Sequence, residues 1–185
     1  MINKESFYDI VRKPIFGGKL TASQVQGMES ILSEWERKDL CDKRRLAYML
    51  ATAYHETAST MQPIEEYGKG RGRAYGKPDP KTGKTYYGRG FVQLTWKGNY
   101  ETMGRLLGID LVNHPEWALK PDIAVAIMFE GMLTGNSYRG DFTGKSLEDY
   151  FNDKKDDPVN ARRIINGMDK AELIAGYHKK FLKAL

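Results

Sequence analysis

Apolar residues recur at helical spacing in several stretches of the chain. Val25, Met28, Leu32 and Trp35 follow Thr21-Ala-Ser-Gln24, which has the form of a capping box, and predict an amphipathic helix through about Lys38. Leu46, Met49, Leu50, Ala53 and Thr57 mark the inward stripe of a second helix over about 43–61. Glu56 lies seven residues after Met49 and three after Ala53, so the spacing puts a carboxylate at the margin of a buried stripe, near a helix end. Further helices are predicted at about 97–107, 121–134 and 158–166. The middle one opens with Pro121-Asp122 and continues almost wholly apolar (IAVAIMF), which marks it as the central buried helix. Asp169 with Glu172 reads as the cap of a last helix, whose Leu173, Ile174, Tyr177, Phe181 and Leu182 form an apolar face.

Between these helices the pattern changes. From Gln62 to about Lys84 periodicity is lost and Gly, Lys, Arg and Pro take over (EEYGKGRGRAYGKPDPKTGK), the signature of a functional or disordered loop. Thr85 to Trp96 (TYYGRGFVQLTW) is β-branched and aromatic, broken by two glycines, and predicts a short hairpin or irregular strand pair. The fold class is therefore mainly α with a small β element, in one domain over residues 1–185, with no internal repeat.

Composition narrows the function. With 41% hydrophobic and 29% charged residues, and no apolar run near the roughly 20 residues that span a bilayer, the chain reads as a globular protein outside the membrane. Cys41 is the single cysteine, so an intrachain disulfide is excluded, and a partly buried structural thiol is expected. The formal charge of +5 predicts attraction to a polyanion. Lys69, Arg71, Arg73, Lys77, Lys81, Lys84 and Arg89 gather in the glycine-rich stretch. Nucleic acid is not the expected partner, because no helix-turn-helix, RNA-binding or zinc-finger signature accompanies these cations. His55, His114 and His178 are dispersed, so neither metal nor cofactor is expected. The Gly140–Ser146 segment has three residues between its glycines where a phosphate loop needs four.

Paired carboxylates in unlike surroundings are the candidate chemistry. Hydrolysis of a glycosidic bond needs one protonated carboxyl to protonate the leaving oxygen and one ionised carboxylate to activate water or attack the sugar. Glu56, against an apolar helix face, is expected to hold its proton, whereas Glu65 and Glu66 lie in a cation-rich loop that favours the ionised form. Spacing alone leaves solvated surface acids as an alternative.

The surrounding motifs add to this. Ala53-Tyr54-His55-Glu56-Thr57, then Tyr86-Tyr87-Gly88-Arg89-Gly90-Phe91-Val92-Gln93-Leu94-Thr95 with Asn99-Tyr100, then Arg163-Ile164-Ile165-Asn166-Gly167, occur in order over about residues 46–177. This arrangement resembles glycoside hydrolase family 19, which holds chitinases and phage endolysins and has a lysozyme-like helical fold with a small β-hairpin element beside the cleft. The resemblance implies Glu56 as general acid and His55 as the neighbour that shapes its site. It implies Glu66 as the base, with Glu65 the alternative, and Thr95 as the hydroxyl that helps hold the attacking water. Gln93, Asn99 and Asn166 are implied as substrate-contacting amides, suited to an N-acetyl group because amides both donate and accept. Tyr87 joins them as a substrate-binding residue, and Tyr86, Phe91 and Trp96 line a groove or pack as core. Gly88 and Gly90 either admit a close approach of sugar or form a bulge. An inverting mechanism is implied, with carboxyls about 6.5–9.5 Å apart. The last helix lacks the arginine that plant members place near the acids.

The same resemblance allows two substrates, peptidoglycan or chitin, and basic charge favours the anionic peptidoglycan. The expectation is an endolysin-type enzyme acting as a monomer, made in the bacterial cytoplasm without a signal peptide and acting on the wall after release. Lys170, His178, Lys179, Lys180 and Lys183 beside the last apolar face suggest either a core-packed helix or one that touches anionic outer-membrane lipid.

Overall fold

A computed structural model describes residues 2–133 and 142–185. Gly140 and Asp141 of the glycine-flanked segment, and residue 134 at the predicted end of the central helix, lie outside the described residues.

Helix α1 (Lys4–Arg12) buries Phe7 and Val11 and is capped by Asn3, whose side chain accepts from the Ser6 N–H. Two apolar positions one turn apart were too few to predict it. Helix α2 (Ala22–Arg37) begins with the predicted capping box: Thr21 Oγ1 accepts from Gln24 N at 3.1 Å and Gln24 Oε1 from Thr21 N at 2.9 Å. Helix α3 (Lys43–Glu56) stops at Glu56, short of the predicted 61. Ala58, Ser59 and Met61 take left-handed backbone angles, and Thr57 Oγ1 bonds both Ala53 O and Met61 N, turning the chain away. Helix α4 (Lys97–Leu107) has the predicted bounds and ends at Gly108, left-handed at φ 67°. Helix α5 (Pro121–Leu133) is buried on nearly every side, as its apolar run requires.

The strands are two residues each. β1 (Ile64–Glu65) pairs antiparallel with β2 (Arg89–Gly90), Ile64 opposite Gly90 and Glu65 opposite Arg89. The predicted hairpin is thus split: its 89–94 part folds back through an Arg89–Leu94 bridge, but its strand partner comes from the stretch read as aperiodic loop. A second ladder, β3 (Phe151–Asn152) with β4 (Lys155–Asp156), joins a charged turn with no β-branched signal.

Three local readings are corrected. The helix predicted at 158–166 is a 3-10 segment, Asn160–Ile164. The last helix, α6 (Ala171–Leu182), begins after Lys170 at φ 60°, with no side-chain cap from Asp169. The Asp169 carbonyl instead accepts from Arg162 Nε at 3.0 Å. Cys41 is exposed rather than partly buried.

One core joins these helices. Phe7 stacks on Phe181 with ring centres 6.4 Å apart, Trp35 meets Phe129 at 6.5 Å, and Leu46, Met49 and Leu50 of α3 are fully buried between them. Each such side chain contributes roughly 1.5–3 kcal/mol of hydrophobic stabilisation. Helix α6 packs along α3 and buries Ile174, His178 and Phe181. Its apolar face is covered by protein, and the side left to solvent carries Leu173, Lys179, Lys180 and Lys183. The consequence for the site is direct: α3, which carries Glu56 at its end, is held on one flank by α6 and on another by α2.

Candidate active site

Glu56 and Glu66 line one cleft of about 840 Å³. The same cleft is lined by Gln93, Thr95 and Trp96 from the turn before α4, by Asn99 in the first turn of α4, by Tyr75 of the glycine-rich loop, and by Phe142, Thr143 and Lys145. Arg163, Ile165, Asn166 and Gly167 close it from the segment before α6. A shallower lobe of about 670 Å³, lined by Gly72, Arg73, Ala74, Tyr75, Trp96 and Asn166, shares three residues with it.

Glu56 owes its position to the abrupt end of α3. Its side chain is 15% exposed, and its Oε1 accepts from the Arg162 guanidinium at 2.5 Å. Arg162 is 4% exposed and also donates to Asp169 O. The apolar surround expected for Glu56 is therefore replaced by a buried guanidinium. The arginine missing from the last helix comes from the 3-10 segment before it. Sequence reasoning passed over Arg162, although it directly precedes the quoted Arg163-Ile164-Ile165-Asn166-Gly167 motif. His55 is half-buried, and burial holds its imidazole below the ordinary histidine range against the opposing pull of Glu56.

The choice between Glu65 and Glu66 follows from the two-residue period of an extended chain, which sends neighbouring side chains to opposite faces. Glu65 turns from the cleft: Tyr87 Oη donates to it at 2.7 Å and Lys69 Nζ lies 2.9 Å away. Lys69, and then Tyr87, hold its carboxyl below the usual range. Glu66 turns into the cleft, with its own N–H donating to Gly88 O at 2.8 Å. Its carboxylate accepts from Gly88 N and Tyr75 Oη, each at 3.2 Å.

Gln93 and Thr95 sit on a turn with unusual backbone. Gln93 is left-handed at φ 53°, and its Nε2 donates to Ile64 O at 3.0 Å, tying this turn to β1. A Cβ on Gly88 would lie 2.7 Å from Gln93 Oε1, and one on Gly90 would lie 2.9 Å from Ala118 O, with Gly90 itself at φ 85°. Gly90 is thus required by the protein's own packing, whereas a side chain at Gly88 would meet the movable end of Gln93. Thr95 Oγ1 donates to Gln93 O at 2.7 Å, and Asn99 Nδ2 to Thr95 O at 2.8 Å. Asn166 Oδ1 accepts from Gly167 N at 2.8 Å.

Of the residues predicted for the site, Glu56, Glu66, Gln93, Thr95, Asn99 and Asn166 meet in the cleft, whereas His55, Glu65 and Tyr87 are not among its lining. Tyr87 is buried behind β1, where the Arg89 guanidinium lies 3.7 Å from its ring centre and Tyr100 Oη donates to its carbonyl at 2.8 Å. Tyr86 and Phe91 are core, while Trp96 is 53% exposed.

Comparison with known proteins agrees with this architecture. Chitinase C from Streptomyces griseus HUT6037 superposes with a TM-score of 0.59 at 23% identity, over 99% of this chain and 91% of that one. A family GH19, class IV chitinase from Zea mays gives 0.58 at 19% identity, over 96% and 89%. These likenesses show the fold. In sequence, Endochitinase At2g43610 of Arabidopsis thaliana is 40% identical over 84 residues, which are 44% of this chain and 30% of that protein. Endochitinase 1 of Theobroma cacao is 36% identical over 114 residues, 54% and 36% of the two chains. This chain thus spans about a third of the length of such relatives. The model of glycoside hydrolase family 19, described as chitinase class I, matches residues 37–134, more than half of the chain, and the chain belongs to that family.

Proposed function

We propose that this protein is a glycoside hydrolase that cleaves β-1,4 linkages in polymers of N-acetylated amino sugars by general acid and base catalysis with inversion. The observation that carries the reading is the meeting of Glu56 and Glu66 in one cleft beside Thr95 and three amide side chains. Glu56 is the acid: Arg162 occupies its Oε1, and Oε2 is the atom that delivers the proton to the leaving oxygen. Glu66 is the base, oriented by Tyr75 and the Gly88 N–H to draw a proton from water, with Thr95 beside it. Gln93, Asn99 and Asn166 bind N-acetyl and hydroxyl groups.

Chitin is the substrate that the relatives' names favour. Peptidoglycan is the second reading, which would make the protein an endolysin-type enzyme. It is favoured by the net charge of +5 and by Lys145 and Arg163 on the cleft wall. Release of reducing sugar from chitin oligomers and from purified peptidoglycan, by wild type and Glu56→Gln in parallel, tests both. Activity on either polymer that disappears in the variant supports the hydrolase, the preferred polymer decides the substrate, and silence on both overturns the reading.

A further inference from the structure

We propose that the shallow lobe beyond Tyr75 is a subsite for a carboxylate-bearing sugar, with Arg73 as its counter-charge and Trp96 as its stacking face. This rests on the reading that the cleft holds an amino-sugar polymer and names the kind of polymer it selects.

Charge distribution between the two cavities is the first observation. The main cleft sets Glu56 and Glu66 against Lys145 and Arg163, so its charges are mixed. The lobe contains no acid, and its one full charge is Arg73. Arg73 is exposed, and among the described residues no carboxylate is in ion-pair contact with it, unlike Lys69 with Glu65 or Lys97 with Asp79. Its charge is therefore available to a ligand.

The second observation is the aromatic pair beside it. Trp96 keeps more than half its surface in solvent, although its backbone is fixed: φ is 75° and its N–H donates to Tyr86 O at 2.9 Å. Tyr75 meets the indole edge-on at 5.1 Å and 77°, and Tyr75 is itself tied to Glu66. A rigid exposed indole offers the apolar face of a pyranose a flat surface at little entropic cost. The pair spans both cavities, so a sugar in the lobe is continuous with one at the carboxylates, and Asn166 borders both. A glycan whose acid falls on the sugar in the lobe is held by ring stacking and charge together. A neutral glycan of the same length gains only the stacking.

The test uses two probes of equal length: peptidoglycan glycan strands stripped of their peptides, whose acid is the lactyl carboxylate, and chitin oligomers. Binding is measured by calorimetry on Glu56→Gln, so that neither probe is consumed. Turnover is measured on the wild-type background. Arg73→Gln is expected to lower the ratio of affinities, carboxylated over neutral, at least fivefold, and added salt should shrink the wild-type ratio in the same direction. Trp96→Ala is expected to weaken both probes. Arg12→Gln, an equal charge change on the exposed face of α1, should leave the ratio alone. Equal affinities of the two probes for the Arg73-containing protein, or a ratio that Arg12→Gln moves as far as Arg73→Gln does, would overturn the subsite. Loss of turnover on both polymers with the charge preference intact would overturn the hydrolase reading and leave the subsite standing.

Discussion

Arg162 and Glu56, 106 residues apart in sequence, meet through a 2.5 Å hydrogen bond in which both side chains are almost enclosed. A buried charge that loses its partner is strongly destabilising, because the remaining ion is left desolvated without compensation.

Arg162→Met is therefore expected to lower unfolding free energy by about 3–5 kcal/mol. It strands the Glu56 carboxylate and frees the Asp169 carbonyl. Glu56→Gln should cost less, since an amide oxygen still accepts from the guanidinium, while turnover falls by roughly 10²–10⁴-fold because an amide delivers no proton. Denaturant melts alongside reducing-sugar assays measure both; a Glu56→Gln variant with most of its activity would remove the acid assignment.

Glu66→Gln and Glu65→Gln separate the two neighbouring acids at the end of β1. The first is expected to reduce turnover by roughly 10²-fold or more. The second loses only a solvent-screened pairing with Lys69 and keeps Tyr87 as a donor, so it is expected to leave turnover close to wild type. The reverse ranking in a kcat comparison would move the base to Glu65.

Gly88 and Gly90 should fail differently. Gly88→Ala presses on the Gln93 side-chain amide, so its chief effect is expected on KM, through displaced amide contacts. Gly90→Ala must hold φ 85° and push against backbone at Ala118, which predicts a loss of about 1–3 kcal/mol in stability. Equal KM and stability changes in both would contradict the packing described.

His178 makes stability depend on pH. It lies between Tyr48 and Phe151 with Nε2 3.2 Å from Arg44 O, and burial holds its imidazole below the ordinary range, only partly offset by that hydrogen bond. The unfolded chain takes up this proton near pH 6.5, the folded chain at lower pH. Stability from the neutral ring is thus fully present above about pH 6.5 and declines as pH falls toward the folded value, by at most about 1.4 kcal/mol per pH unit. His55 acts in the same sense. Urea midpoints from pH 7 to 5 should fall for wild type and fall less steeply for His178→Phe; parallel slopes would exclude the assignment.

Local features were the most legible in the sequence. Thr21 with Gln24 carries its own cap geometry, and the stripe through Met49 and Ala53 placed Glu56 at the margin of the core. The pairing of β1 with β2 was not legible. Ile64 and Glu65 find their partners across the glycine-rich loop, and two residues carry no period. The 3-10 segment at 160–164 looked like an α-helix because both place apolar residues three apart. Arg162 was hidden for a different reason: an arginine among several reads as solvated until the fold encloses it. The choice of Glu66 over Glu65 as the cleft residue needed only strand alternation, once a strand was known to be there.

The order in which a ribosome makes this chain gives the Arg162 contact a temporal meaning. Glu56 emerges with α3 well before the residues that enclose it, and domains fold as their elements become available. Until residue 162 and the helix that flanks α3 have followed, the carboxylate faces water without its guanidinium. A nascent chain halted before that point contains Glu56 and Glu66 yet holds no assembled cleft, so competence comes late in synthesis.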